Sequence, residues 1–183
     1  EVTPVFLYTN YPTAELFING KSYGKQSKNN SSLKNRYRLM WMDTKYEPGT
    51  VKVVAYDENG KAVAEKEIRT AGKPHRIELS ADRSELSANG KDLSFINVRV
   101  VDKDGNLIPD ATNQIEFKVK GAGSYRAAAN GKSVSLELFH HPRMKLFSGQ
   151  LTAIVQSGDK AGEITFEATA KGLKGAKLKI VTK

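Results

Sequence analysis

The chain has 183 residues, of which 39% are hydrophobic, and it contains no cysteine. This length accommodates one large or two small domains, and the composition is that of a globular protein whose cores form without disulfides. No window approaches the roughly 18 consecutive apolar residues of a membrane span. The formal charge of +9 raises the question of nucleic-acid binding, but the excess is spread over both halves and no nucleic-acid motif is present.

The first half of the chain is predicted to form short strands joined by turns. Residues 16–24 contain Asn19-Gly20, a pair typical of type I′ hairpins because both positions need a positive φ. We expect Gly24 to end the returning strand. A Pro-Gly turn at residues 46–50 precedes another strand at 51–56. The expected packing centre of this half consists of Trp41, Phe6, Leu16, Phe17, Val51 and Val53.

In the second half, apolar and polar residues alternate along several segments, as in antiparallel sheets with one face in water. The inward positions are Ile96, Val98 and Val100, then Ile115, Phe117 and Val119, then Ile164, Phe166, Ala168 and Ala170. Turns rich in Asp, Asn and Gly separate these segments. Many short strands with regular turns predict an all-β fold of two tandem immunoglobulin-like antiparallel β-sandwiches.

A domain boundary is predicted at residues 71–74. Gly72 frees the backbone there, and Pro74 prevents the preceding strand pairing from continuing. We therefore expect a small β-sandwich domain at residues 1–71 and a second immunoglobulin-like domain at residues 72–183. The chain begins with Glu1 and shows no charged-then-apolar leader, so we interpret it as a processed chain or an excised fragment.

The order of these motifs resembles the C-terminal accessory region of glycoside hydrolase family 2 enzymes of the β-galactosidase type. The hairpin at 15–24 is followed by Trp41, the turn at 46–50, a hairpin, and the joint at 69–74. The resemblance continues through residues 93–98, 102–111, Asn130-Gly131 and 147–150, so it covers nearly the whole chain in collinear order. It implies that the second domain is similar to the bacterial immunoglobulin-like or invasin-like modules that close family 2 chains.

No catalytic residue can be carried over from this resemblance. In the family, the two catalytic glutamates lie on a (β/α)8 barrel, and this chain has neither βα alternation nor the roughly 250 residues that a barrel needs. Glu47 lies beside Tyr46 in a turn, and we interpret it as an ordinary turn carboxylate. We assign no catalytic and no cofactor-binding residue, and we expect the chain to be non-catalytic while its parent is a glycoside hydrolase.

Two sets of residues are candidate metal ligands. Residues 102–106 resemble a calcium loop, but Leu107 and Asn113 occupy the positions where an EF-hand needs Gly and Glu. Cation binding by Asp102, Asp104 and Asp110 therefore stays a minor alternative to a simple turn. His140 and His141 are expected to point to opposite faces of a strand, and the remaining histidine is His75. We assign no metal site.

Three segments of the sequence are expected to lie at the surface or to bear on a contact surface. A basic run from Lys21 to Arg38 contains no acidic residue and is interpreted as an exposed, solvated hairpin connection. Exposed aromatic rings could form a sugar platform, for which the candidates are Tyr8, Tyr11, Tyr23, Tyr46 and Trp41. Among these, Trp41 lies between two methionines and is predicted to belong to the core. Residues 130–149 form either a strand with a decorated loop or a contact surface for the catalytic part of the parent.

The predicted function is a non-catalytic structural or accessory region of a β-galactosidase-like family 2 enzyme. Its expected partners are the catalytic barrel and other domains of the parent, with carbohydrate as a further candidate and with no nucleic acid or membrane span. The resemblance implies a bacterial enzyme of the periplasm or cell surface. The alternatives are a stand-alone carbohydrate-binding module and an adhesin-like tandem immunoglobulin-like module.

Overall fold

A computed structural model describes residues 1–183 as fifteen β-strands joined by turns and loops. It contains no helix, and hence no helix long and apolar enough to cross a membrane. The chain divides into two compact units, Glu1–Thr70 and Ala71–Lys183. The assignment of residues 1–71 and 72–183 as separate domains stays a prediction.

The first unit contains six strands in two antiparallel sheets. The strands are β1 (Val5–Tyr8), β2 (Thr13–Ile18), β3 (Lys21–Ser27), β4 (Arg38–Trp41), β5 (Thr50–Tyr56) and β6 (Ala62–Arg69). Strands β1 and β4 form one sheet, and the other has the order β3-β2-β5-β6. Side chains from both sheets meet in one small core, which consists of Ala14, Leu16, Ile18, Leu39, Trp41 and Ala55.

The predicted Asn-Gly hairpin forms between β2 and β3. Asn19 and Gly20 have φ values of 51° and 81°, as a type I′ turn requires. The prediction that Gly24 ends the returning strand is wrong, because β3 runs on to Ser27. Gly24 instead has a φ of 85° within the strand, beside an irregularity in the pairing of β2 with β3.

Two residues of the predicted first core lie outside it. Phe6 is 45% exposed because alternation along β1 turns Val5 and Leu7 toward the core and Phe6 away from it. Phe17 likewise lies on the opposite face of β2 from the buried Leu16. The prediction was correct for Trp41 and Leu16, which are buried, and for Val51 and Val53, which pack against them half-buried.

The second unit is a larger sandwich of nine strands. They are β7 (Arg76–Ala81), β8 (Glu85–Leu86), β9 (Leu93–Val101), β10 (Gln114–Gly121), β11 (Gly123–Ala129), β12 (Arg143–Lys145), β13 (Gln150–Ser157), β14 (Gly162–Thr169) and β15 (Ala176–Thr182). One sheet has the order β12-β10-β14-β15-β8 and the other β11-β13-β9-β7. All pairs are antiparallel except that of β15 with β8.

The second core matches the alternation read from the sequence. Ile96 and Val98 from one sheet and Ile164 and Phe166 from the other are buried in a single cluster. Phe117 stacks on Phe166 with ring centroids 5.6 Å apart. The predicted all-β class, with antiparallel β-sandwiches, is confirmed.

Candidate functional site

A tyrosine-bordered pocket lies on the first unit. It has a volume of about 380 Å³ and is lined by Tyr8, Thr9, Asn10, Lys28 and Tyr37, a set that we call the tyrosine pocket. Tyr8 is 67% exposed and Tyr37 is 68% exposed, so both rings offer most of their surface to solvent. The pocket combines two aromatic faces with polar and cationic groups.

Strand pairing brings these distant residues together. Tyr8 ends β1 and pairs in register with Arg38, the first residue of β4. Tyr37 directly precedes β4 and therefore comes to the same end of this two-stranded sheet. Lys28 directly follows β3. Its ammonium group donates a hydrogen bond to the carbonyl of Thr9, and its backbone N–H donates to Pro12 O at 2.8 Å.

Cations surround the tyrosine pocket without acidic partners. The Arg38 guanidinium lies 3.5 Å from the Tyr8 hydroxyl, and the Arg36 guanidinium lies 5.7 Å from the centre of the Tyr37 ring. None of the six basic residues between Lys21 and Arg38 forms a salt bridge. The predicted connection is shorter than expected, because residues 21–27 belong to β3 and the irregular part covers residues 28–37.

The other aromatic candidates do not join this pocket. Trp41 is only 4% exposed, and its indole N–H donates to Gly24 O at 3.0 Å, which confirms its predicted place in the core. Tyr23 packs half-buried against that core. Tyr46 is exposed, but its hydroxyl lies 3.3 Å from that of Thr70. Tyr37 was missed by sequence reasoning, because it lies in an irregular basic segment with no periodicity to indicate its environment.

A second feature is a loop of the second unit, residues 131–142, which we call the apolar loop. It exposes Val134, Leu136, Leu138 and Phe139, and Leu136 is 96% exposed. Single exposed hydrophobic residues are ordinary on protein surfaces, but four within six positions are not. The loop begins at the predicted Asn130-Gly131 turn and ends where β12 starts.

Hydrogen bonds from the sandwich hold the apolar loop in one conformation. The Tyr125 hydroxyl donates to the backbone carbonyls of His141 at 2.7 Å and Phe139 at 3.1 Å. Burial raises the pKa of Tyr125 to about 12, so this donor keeps its proton at neutral pH. The Glu137 carboxylate accepts from Lys145 N at 3.1 Å and Asn130 Nδ2 at 3.4 Å. The Glu137 carboxylate and two backbone carbonyls of the loop are therefore bonded to the sandwich, while the apolar side chains of the loop point outward.

Residues 102–106, which resemble a calcium loop in sequence, form a hydrogen-bonded turn around Asp102. Asp102 is buried, and its oxygens accept from the backbone N–H groups of Gly72, Asp104 and Asn106 at 2.8–2.9 Å and from Asn106 Nδ2 at 2.9 Å. The Gly72 bond is the largest of the influences that hold the pKa of Asp102 well below its usual range. Asp104 and Asp110 do not join Asp102 in a group that could hold a metal ion.

The remaining candidate residues are also dispersed. His140 and His141 lie in a turn rather than a strand, and their rings touch edge to face with centroids 4.7 Å apart. The expectation that they point to opposite faces is therefore wrong, because the strand geometry it assumed is not there. His75 lies outside this turn, just before β7, and Glu47 is an exposed turn residue.

Five carboxyl groups of this chain have environments that favour the ionised form. The displaced pKa values are all lowered, and they belong to Glu15, Glu78, Asp82, Asp92 and Asp102. Ser22 Oγ donates a 2.6 Å hydrogen bond to Glu15 and lowers its pKa. Burial alone would raise the pKa of Glu78, but hydrogen bonds from Arg99 and Arg76 outweigh it. A glycosidase general acid needs the opposite, a raised pKa.

Comparison with protein families covers both units. Residues 77–179 match the family described as Glycoside hydrolase family 2 C-terminal domain 5, and residues 1–64 match a domain of unknown function (DUF4982). A β-galactosidase from Bacteroides ovatus is 47% identical over 173 residues, which cover 94% of this chain and 20% of that protein. A β-galactosidase from Thermoanaerobacter pseudethanolicus is 26% identical, covering 90% of this chain and 22% of that protein.

Solved structures agree with this assignment. A glycosyl hydrolase family 2 member from Bacteroides cellulosilyticus has a TM-score of 0.87 at 33% identity, covering 98% of this chain and 23% of that one. A β-glycosidase from Bacteroides vulgatus has a TM-score of 0.91 at 27% identity, covering 99% and 22%. The chain thus spans about a fifth of the length of the two β-galactosidases named above. The resemblance found in the sequence is confirmed, and this chain belongs to the glycoside hydrolase family 2 C-terminal domains as an accessory region of such an enzyme.

Proposed function

We propose that this chain is a non-catalytic docking region, which packs against other domains of its parent enzyme through the apolar loop. The observation that carries this proposal is the combination of inward hydrogen bonds and outward apolar side chains in residues 131–142. A loop with no partner to meet would save free energy by presenting polar side chains to water. Here the loop is instead held in one conformation before any partner arrives, which lowers the entropic cost of docking.

The proposed occupant is another part of the same polypeptide. The matched relatives are about five times as long as this region, so most of such an enzyme lies outside it. Lys132 lies within the loop and Arg143 and Lys145 follow it, and all three are exposed. We therefore propose an apolar partner surface with an acidic rim, whose charges would complement these cations.

We propose that the complete enzyme hydrolyses β-galactosides or a related glycoside. Support comes from the 47% identity to a β-galactosidase, which covers nearly the whole of this chain. The lowered pKa values of Glu78 and Asp102 keep these two carboxyl groups ionised, which is the opposite of what a catalytic acid needs. The two catalytic carboxyl groups would then belong to another domain, and residues 1–71 and 72–183 would form two supporting domains. We propose that the enzyme is bacterial, as these relatives are, and that it acts in the periplasm or at the cell surface.

Thiol labelling tests the docking proposal, because a docked side chain is shielded from the reagent. The chain contains no cysteine, so a cysteine introduced into it is the only thiol of this region. Leu136→Cys would be introduced both into the 183-residue chain and into the full-length enzyme, and alkylation at that position would be followed by mass spectrometry. We expect labelling at least about tenfold slower in the full-length enzyme. Lys171→Cys, in an exposed turn of the same unit, is the control and should react equally fast in both proteins.

Equal reactivity of Leu136→Cys in the two proteins would contradict docking through the apolar loop.

A separate assay addresses catalysis. The 183-residue chain should not hydrolyse a nitrophenyl β-galactoside, whereas the full-length enzyme should. Turnover by the 183-residue chain alone would overturn the non-catalytic assignment without affecting the labelling result.

A further inference from the structure

We propose that the tyrosine pocket binds an anionic saccharide, namely a pyranose that carries a carboxylate or a sulfate group. The site lies on the first unit, and the proposal does not depend on the docking role of the apolar loop in the second unit. It assigns a ligand class to a surface for which the proposed function gives no role.

The aromatic component is the first reason. A pyranose ring has faces made of C–H groups, and these pack on the flat faces of tyrosine rings while the sugar hydroxyls reach outward. Tyr8 and Tyr37 are exposed by two thirds although burial of either ring would be favourable. Both border the same cavity of about 380 Å³, near the lower end of the range for small-molecule sites.

Strand pairing places the backbone from which both rings project. Tyr8 is held by the pairing of β1 with β4, and Tyr37 precedes the first paired residue of β4. The Lys28 ammonium group donates a hydrogen bond to the carbonyl of Thr9, which directly follows β1, so two lining residues of the pocket are joined. Placing the backbone in advance reduces the conformational entropy that is lost when a ligand binds.

The charge of the pocket is the second reason. Lys28 lines it, Arg38 reaches the Tyr8 hydroxyl, and Arg36 lies beside the Tyr37 ring. None of these cations forms a salt bridge, and no acidic residue occurs between Lys21 and Arg38. An Arg guanidinium pairs with carboxylate or sulfate oxygens through parallel N–H donors. A neutral sugar would leave these three cations without an anionic partner.

Single-stranded nucleic acid also combines stacking with phosphate charge, and it is the competing class. Such proteins follow the strand with a groove of successive aromatic residues. The tyrosine pocket has two rings at one compact cavity, and the remaining exposed tyrosines lie outside it. The geometry therefore favours a single short ligand over an extended strand.

The proposal is tested by titration calorimetry on the 183-residue chain. The probes are a trigalacturonide, a sulfated galactobiose, neutral galactotriose and a thymidine oligonucleotide. We expect at least one of the two acidic saccharides to bind at least about tenfold more tightly than galactotriose, with an affinity that falls as salt is added. The stronger of the two identifies carboxylate or sulfate as the recognised group.

Variants identify the site. Tyr8→Ala and Tyr37→Ala should each weaken binding about tenfold, and Lys28→Gln should reduce the preference for the acidic over the neutral saccharide. Tyr46→Ala, which removes an exposed tyrosine outside the pocket, should leave the affinity unchanged. Fluorescence of the single Trp41 checks that each variant of the first unit is folded.

Three results would overturn the proposal. The first is the absence of saccharide binding at millimolar concentration. The second is binding of galactotriose as tight as that of the acidic saccharides. The third is binding of the oligonucleotide tighter than that of either acidic saccharide. Equal loss of affinity in Tyr46→Ala and Tyr37→Ala would likewise exclude the tyrosine pocket as the site.

Discussion

Asn19, at the tip of the first hairpin, is hydrogen-bonded to Thr50, at the start of β5. Its side-chain oxygen accepts from Thr50 N at 2.8 Å, and its side-chain nitrogen donates to Pro48 O at 3.1 Å. The side chain of Asn19 therefore joins the Asn-Gly hairpin to the Pro-Gly turn by hydrogen bonds, although the two turns lie about 30 residues apart in the sequence. Asn19 closes the end of the first sandwich by bridging two turns that each look ordinary alone.

Gly49→Ala should destabilise the first unit severely. A Cβ on Gly49 would lie 1.8 Å from Asn19 Oδ1, and the φ of 136° is itself unfavourable for alanine. We expect a loss of at least about 2 kcal/mol in the free energy of unfolding, measured by urea titration of Trp41 fluorescence. Gly60→Ala is the control, because Gly60 also has a positive φ but has open space around it. Equal losses in the two variants would show that the contact with Asn19 is unimportant.

Asp102 should make the stability of the second unit fall in acid. Its folded pKa is lowered, so its contribution is fully present above the unfolded pKa of about 4 and is lost as pH falls below that value. Calorimetry of the second unit should show a melting temperature that decreases below about pH 4. In Asp102→Asn this decrease should be smaller, and the melting temperature at neutral pH should drop by about 5 °C or more. Asp104→Asn, at an exposed position, is the matched control, and an identical acid response in Asp102→Asn and wild type would contradict this role.

Tyr125→Phe should loosen the apolar loop without unfolding the sandwich. The variant removes the two hydrogen bonds to Phe139 O and His141 O but keeps the ring stacked on Phe117. The hydroxyl carries one proton, which the two carbonyls share, so its loss is worth about 1 kcal/mol. The hydrogen-bonded loop amide of His141 should therefore exchange with deuterium about fivefold faster. Exchange in β9 should stay unchanged and serves as the internal control. Unaltered exchange in the loop would mean that Tyr125 is not its anchor.

The two units should unfold in separate steps. The first has a core of only six buried apolar side chains, whereas the core of the second is much larger. Because Trp41 is the only tryptophan and lies in the first unit, its fluorescence reports that unit alone. We expect its midpoint on heating to lie below that of the second transition seen by far-ultraviolet circular dichroism. Coincident transitions would indicate one cooperative unit and would contradict the predicted division at residues 71–72.

Local pattern in the sequence was sufficient for the class of fold. Alternation at Ile96, Val98 and Val100 indicated a one-sided strand, because side chains in a strand point alternately to opposite faces. Phe6 shows the limit of this reasoning. Residues 5–7 are all apolar, so the pattern does not tell which side of β1 is inward, and only packing against β4 turned Phe6 outward.

The sequence by itself determined an all-β chain, its main turns and its membership of a hydrolase family, because these depend on neighbouring residues and on the order of motifs. Tertiary structure alone decided which side chains became surfaces. The tyrosine pocket exists because β1 pairs with β4 across 30 residues, and the apolar loop is held outward because Tyr125 reaches carbonyls 14 and 16 residues away. Such contacts follow from strand pairing and packing, which depend on the whole fold rather than on any local segment.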